Sequence, residues 1–407
     1  FLFCIQNNIM EELLQYQNNL LSQVSSKWHR YLFPELETNE RLVGIRGLRG
    51  VGKTTMLLQF LKYQYPEADR GIYVTADHPY FFNHTLFDLA SEWYSHDGTL
   101  LLIDEVHKFE TWSRELKLIY DGHPNLQIFF TSSSALDLYR GESDLSRRLY
   151  ALNLHGLSFR EYLSLKHGLE LTTYTLDELL ENAQKISTAL IGDFKPLPLF
   201  KAYLKEGYFP FFHSIVPEQW PVRLYRVINT VLESDLAFAR DYSTSNIIAL
   251  KKLLGVIAES APFTPNISKI AERLKLGRTS VLTYLKHLAD AHVLNLAHRP
   301  GKGMSMLQKP DKIYFENSAF TYAFQERPMT GTLPETFFFN QLKNAGYSVR
   351  LAQKGDFLVD DTYTFEIGGK NKDHSQIKGQ SDAYLALDGI EIGFDRKIPL
   401  WLFGFLY

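Results

Sequence analysis

One cysteine, Cys4, stands in 407 residues. That excludes an intrachain disulfide framework and any cysteine-built zinc site, and it suits a reducing cytoplasm. Long apolar runs are missing too. Phe1 to Ile5 is too short for a membrane span or a signal-peptide core, and no later run approaches the required length. Nor is there an excess of charge. The 43 Lys and Arg face 46 Asp and Glu, a formal net charge of -3, so any contact with nucleic acid needs a local patch. The 13 histidines do not gather at metal-ligand spacing, and no internal repeat, low-complexity tract or Ser-His-Asp order stands out. His107 reads as a polar residue at a sheet end rather than a ligand. The remainder is ordinary for a globular chain: 45% hydrophobic and 22% charged residues, with length enough for about two to four domains. A cytoplasmic setting without membrane contact is expected. The sequence opens on Phe1, and Met10 is the expected natural start.

The most specific pattern is Gly47-Leu48-Arg49-Gly50-Val51-Gly52-Lys53-Thr54-Thr55, which fits the phosphate-loop spacing G-x-x-x-x-G-K-[ST]. Glycines let the backbone wrap and turn its N–H groups onto phosphate oxygens, and Lys53 adds a point charge. Thr54 offers a hydroxyl to Mg²⁺ and begins a helix whose N-terminus favours anions. Leu42 to Ile45 reads as the buried strand feeding this loop, and Met56 to Leu61 continues the helix. ATP and Mg²⁺ are therefore the expected ligands, with Gly47, Gly50, Val51, Gly52, Lys53, Thr54 and Thr55 in contact. Residues 11–32 have helical periodicity and are expected to lead into this domain.

Further strands follow at Gly71 to Thr75 and Thr99 to Asp104, with a helix over His84 to Tyr94. The second strand ends in Asp104-Glu105, acids at the ligand crevice of an open sheet. About 50 residues after a phosphate loop, this is the Walker B arrangement. Asp104 is expected to help hold Mg²⁺, and Glu105 to orient the attacking water. Leu126 to Phe130 is another buried strand, ending in Thr131-Ser132-Ser133-Ser134. Thr131 is the first choice to sense the γ-phosphate and Ser132 the second; the later serines read equally as a helix N-cap. A polar segment from Gly141 ends in Arg147-Arg148. Two readings stand for that arginine: a contact with the γ-phosphate of its own or a neighbouring subunit's nucleotide, or a surface pair.

After Arg148 comes Leu157-Ser158-Phe159-Arg160-Glu161-Tyr162. With the preceding motifs in this order, the chain from Leu42 onward resembles a group of bacterial and archaeal AAA+-like, STAND-related ATPases. That group carries a conserved arginine, a Leu-Ser-Phe-x-Glu signature and a nuclease-like C-terminal domain. The resemblance gives the arginine role to Arg148, where the group's Gly-Arg appears as Arg147-Arg148. It also implies that the Gly-x-x-Pro turn of Gly207 to Pro210 caps a helical lid near adenine, placing Gly207 and Pro210 in the nucleotide pocket. A plain turn explains those two residues as well.

Helices are expected over Leu176 to Leu190, Leu197 to Lys205, Trp220 to Phe238, Ile247 to Glu259, Asn266 to Leu274 and Thr279 to Ala289. Strand-like Val293 to Leu296, a basic turn at Arg299 to Gly303, and Lys312 to Phe315 then complete the order of a winged helix-turn-helix. Its second helix presents Arg278, Thr279, Ser280, Thr283, Tyr284, Lys286 and His287, types that contact phosphates and base edges. Winged helices also serve as packing modules, so DNA and a protein partner both remain open.

The last segment has a helix over Leu333 to Ala345 and strands at Tyr347 to Leu351, Phe357 to Val359 and Tyr363 to Ile367. It resembles the PD-(D/E)xK nuclease core, which implies a site of Glu335, Asp356, Glu366 and a lysine. The lysine's usual position holds Gly368; Lys370 lies two further on and would share the face of Glu366. An active nuclease and a degenerate nuclease fold both remain open. Ile398 to Phe405 reads as a core strand, or as an interface if exposed.

The expected fold is thus an α/β P-loop NTPase, a parallel sheet with helices on both faces, over residues 10–165. A helical lid (166–243), a winged helix-turn-helix (244–325) and a small α/β restriction-endonuclease-like domain (326–407) follow. Two functions from different classes fit: an ATP-dependent nuclease acting on DNA, and an ATP-driven switch that binds DNA or a protein and cuts nothing. Oligomerisation is compatible with both.

Overall fold

A computed structural model describes residues 2–65, 70–132, 145, 147–240, 242–259, 264–301, 309–325, 330–373, 375 and 377–407. Ser133, Ser134, Lys302, Gly303 and the segment beginning at Gly141 lie outside the described residues, apart from Leu145 and the residues from Arg147 on. The chain divides into two compact units, Phe1–His155 and Gly156–Tyr407.

The first unit is built on a parallel sheet of β1 (Leu42–Arg46), β2 (Gly71–Thr75), β3 (Leu100–Asp104), β4 (Gln127–Ser132) and β5 (Tyr150–Asn153). The order is β2-β3-β4-β1-β5. β3 is buried along its whole length because both faces of the sheet are covered. Helix α2 (Lys53–Gln64) packs on one face, where Phe60 meets Phe129 at 5.0 Å between ring centroids. On the other face, Ile72, Val74, Leu101, Ile103, Ile128 and Phe130 share a core with α3 (Leu86–Ser95) and α4 (Trp112–Gly122). Because β4 lies between β1 and β3, it pairs with both, Ile45 facing Thr131 and Ile103 facing Phe130. The C-terminal ends that carry the phosphate loop, the two acids and Thr131 are thereby brought side by side.

Helix α1 (Leu2–Gln23) ends nine residues before the expected Leu32. The following turn is held by α2: Gln59 donates to the carbonyls of Ser25 and Trp28 (2.7 and 2.8 Å), and Lys62 to those of Leu21 and Val24 (3.2 and 2.9 Å). These side-chain donors satisfy one carbonyl in the last turn of α1, that of Leu21, and three in the chain that follows it. From α1, Gln17 reaches edge strand β2. Its carbonyl accepts from the Tyr73 N–H (2.6 Å) and its amide donates to the Gly71 carbonyl (3.3 Å).

The second unit opens with α5 (Phe159–His167), α6 (Leu176–Leu190) and α7 (Pro196–Ala202), the last running into a π-turn at Tyr203–Gly207. The Leu157-Ser158-Phe159-x-Glu161 signature has a local physical role. Ser158 and Glu161 form the capping box of α5, and Phe159 is fully buried against Phe200 and Tyr203. The single helix expected over Trp220 to Phe238 is α8 (Trp220–Thr230), a π-turn (Val231–Leu236) and α9 (Ala237–Arg240). Then come α10 (Thr244–Ala258), α11 (Ile267–Leu274), α12 (Arg278–Asp290) and an antiparallel pair, β6 (Leu294–Ala297) with β7 (Lys312–Phe315). After α13 (Ser318–Phe324) and α14 (Leu333–Asn344), a five-stranded mixed sheet closes the unit. It runs in the order β12-β11-β10-β9-β8, from β8 (Val349–Leu351), β9 (Phe357–Val359), β10 (Tyr363–Gly369), β11 (Ala383–Asp388) and β12 (Lys397–Pro399). The apolar tail is not one strand. It is β12 followed by a 3₁₀ turn, Leu400–Phe405, buried throughout, with Trp401 and Phe405 packed on Phe194.

Gln17→Ala removes two hydrogen bonds and leaves buried partners on β2 unsatisfied, so it is expected to destabilise the protein by about 1–3 kcal/mol in chemical denaturation.

Candidate functional site

The loop after β1 needs glycine for specific reasons. A Cβ on Gly47 would lie 2.3 Å from the Leu154 carbonyl oxygen, and Gly52 caps α2 with φ +100°, a left-handed conformation unfavourable to other residues. Lys53 is buried and its ammonium donates to the carbonyls of Gly47 (2.6 Å) and Leu48 (3.3 Å). Arg30, in the segment read as helix, is 4% exposed and braces the loop from behind through the carbonyls of Val51 and His155, the latter at 2.7 Å.

Asp104 joins the strand ends. Its Oδ2 accepts from the hydroxyls of Thr54 (2.6 Å) and Tyr73 (3.0 Å), and its Oδ1 from that of Thr131. Thr131 Oγ1 also accepts the Glu105 N–H at 2.9 Å. Burial with the neighbouring Asp104 charge pushes the Tyr73 hydroxyl pKa up, which keeps it a donor. Glu105 itself sits in the left-handed region (φ +51°) and pairs with Arg49 at 3.3 Å. Burial raises its pKa, and Arg49 opposes that. The oxygen-only pair of Thr54 and Asp104 fits a hard cation such as Mg²⁺. Val51 is buried, Thr55 is exposed, and Gly50 has φ +86°. Ser132 is buried at the end of β4.

Residues 39–163 match the family model of the AAA domain. This AAA match spans the entire first sheet. An uncharacterized protein of Methanocaldococcus jannaschii is 25% identical over 393 aligned positions, covering 88% of this chain and 82% of its own. A solved Walker-type ATPase of Pyrococcus abyssi covers 72% of this chain and 93% of its own at 14% identity, with a TM-score of 0.41. AMPPCP-bound DnaA from Aquifex aeolicus covers 64% and 84% at 18% identity, with a TM-score of 0.29.

The other expected residues have these local surroundings. Arg148 makes a two-pronged ion pair with Asp121 (3.0 and 3.1 Å), at the surface. In the second unit, Gly207 closes the π-turn, where a Cβ would strike the Tyr203 ring at 2.2 Å, and Pro210 opens a 3₁₀ turn. On α12, Arg278 and Thr279 are exposed, and Ser280, Thr283 and Lys286 are half-buried. Tyr284 and His287 turn inward instead, to Asn246 (2.8 Å) and Tyr242, because they adjoin the buried row of Val281, Leu285 and Leu288.

Glu335 on α14 and Glu366 on β10 both lie near enough to Asp356, just before β9, to act on its charge, and each acid is already engaged. Glu335 accepts from Lys312 (2.5 Å) and Tyr314 (2.8 Å), Asp356 from the Ile367 N–H (2.7 Å), and Glu366 pairs with Lys372. Burial, helped by Glu335 and Glu366, raises the Asp356 pKa to about 6. Among the described residues, no group of three or more His, Cys, Asp or Glu could hold a metal as placed. The expected Lys370 is exposed and does not join them. β10 ends at Gly369, and the chain turns there, the Lys372 N–H donating to the Gly369 carbonyl at 2.9 Å. Lys372 then runs back across Gly368, where a Cβ would lie 2.8 Å from its own. The lysine thus enters from after the turn, over the place where the nuclease pattern would root it. Local spacing gave no sign of Lys312 and Tyr314; they arrive from β7.

His107 is 4% exposed, and burial, with Lys108, Arg49 and Lys53 nearby, pushes its pKa down to about 3. The fold favours the neutral ring, so this contribution to stability is complete above about pH 6.5 and is lost as pH falls toward about 3. His107→Gln should therefore lose less stability than wild type between pH 7 and pH 4, by on the order of 3 kcal/mol in urea denaturation.

Proposed function

We propose that the AAA domain binds and hydrolyses ATP with Mg²⁺, and that turnover drives a conformational switch acting on DNA. The observation that carries the reading is the chain of contacts from Thr54 through Asp104 and Thr131 to Glu105. It ties an anion-binding loop to a carboxylate that would direct water. The loop amides and Lys53 would hold the phosphates, and Thr54 and Asp104 would hold the cation. Magnesium, when bound, neutralises phosphate charge. Thr131 would fix the backbone of Glu105 and sense the γ-phosphate. Arg148 would complete the site only by leaving Asp121, in its own or a neighbouring subunit, and Gly207 and Pro210 would flank the base. DNA contact is assigned to a winged helix over 244–325, through Arg278, Thr279, Ser280, Thr283 and Lys286; a protein partner is the alternative. Residues 166–243 are the proposed lid.

A second reading, favoured by the path of Lys372, makes 326–407 a nuclease-like domain whose site is Glu335, Asp356, Glu366 and Lys372. Acids would hold the metal and the lysine would activate water once the pairs of Glu335 and Glu366 open.

Lys53→Ala should abolish nucleotide binding in calorimetry, and Glu105→Gln should retain binding while turnover falls roughly 100-fold or more. Full turnover by Glu105→Gln would remove its water-directing role. In a plasmid-cleavage assay with Mg²⁺, Asp356→Ala and Lys372→Ala should abolish cutting while Lys370→Ala retains it. Absence of cutting by the wild type would leave the switch without a nuclease.

A further inference from the structure

Arg49 occupies a variable position of the phosphate loop, between Leu48 and Gly50. Its guanidinium lies 3.3 Å from a carboxylate oxygen of Glu105, each side chain about a quarter exposed (26% and 24%). The root of Glu105 is fixed independently, by its left-handed backbone and by the hydrogen bond from its N–H to Thr131. What remains adjustable is the carboxylate, and the structure puts Arg49 on it. The same guanidinium is carried by the loop whose amides would gather a polyphosphate. A triphosphate there offers several negative oxygens in place of one carboxylate, in a geometry arginine recognises with two parallel N–H groups. The two anions compete for one cation.

We propose that Arg49 is a positioning residue that exchanges partners: it holds Glu105 until nucleotide binds, then passes to the phosphates and releases Glu105 toward the attacking water. The inference rests on the ATPase reading and adds to it a device that couples occupancy of the loop to readiness of the acid. In this arrangement the carboxylate is held off the water until there is a phosphate to attack.

A double-mutant cycle on nucleotide affinity tests the exchange. The dissociation constant of a non-hydrolysable ATP analogue with Mg²⁺ would be measured by calorimetry for wild type, Glu105→Gln, Arg49→Met and the double variant. Arg49→Met alone should weaken binding. Glu105→Gln should tighten binding roughly two- to fivefold when Arg49 is present, because the pair no longer has to be broken. In the Arg49→Met background, the same change should shift affinity less than about 1.5-fold, reporting only repulsion between the carboxylate and phosphate. Additive effects would overturn the exchange while leaving the ATPase reading intact. A folded wild type with no affinity for the analogue would remove that reading itself. Arg49→Gln serves as the second replacement if Arg49→Met lowers the melting temperature.

Discussion

The carboxylate of Asp104 accepts hydroxyls from three different elements, Thr54 at the start of α2, Tyr73 in β2 and Thr131 in β4. A buried carboxylate needs such partners, since leaving it unsatisfied costs more than any one bond returns. The arrangement places strict demands on the sheet. β2 and β4 must flank β3 in the register seen, and β1 must lie beyond β4 so that its loop reaches back to Asp104. The order of the strands and the chemistry at their ends are therefore one constraint. Glu105 bears the backbone strain of this crowding, one residue past the strand, with its amide tied to Thr131.

Much of the first unit was legible in sequence because its signals are local. Uninterrupted apolar runs mark β2 and β3, whose cores are buried on both sides, and the glycine spacing marks the loop. Gly47, Gly52, Lys53, Thr54 and Asp104 are found where the motif leads one to look. Tyr73, Gln17 and Arg30 were not legible, since each acts across 20 or more residues through a contact set by topology. β5 escaped as well; its pattern of partial burial, with Ala151 and Asn153 exposed, gives a short and weak run. The end of α1 was misjudged because Trp28 and Leu32 continue the apolar period while Gln59 and Lys62 hold the backbone in another path.

In the second unit some helices start at caps that the apolar period does not report. Thr175 with Glu178 starts α6, and Ser243 with Asn246 starts α10. The second cap starts α10 at Thr244 rather than at the expected Ile247, because a reciprocal hydrogen bond fixes the start there. The acid cluster is different. Its three acids followed from the resemblance to a nuclease core, whereas Lys372 depends on the turn from Gly369 to Lys372, and Lys312 and Tyr314 come from β7. Spacing alone cannot report a side chain that doubles back over its own strand.

The contact between Gln17 and β2 has a consequence beyond the strength of two hydrogen bonds. β2 is the last strand on its side of the sheet, and an outermost strand is a template onto which a foreign strand can add. By binding the backbone at Gly71 and Tyr73 with one amide side chain, α1 occupies the places where such a strand would dock. The helix thereby guards the molecule against growing by strand addition, and a chain that lost its hold on α1 would offer neighbouring molecules a ready edge for aggregation.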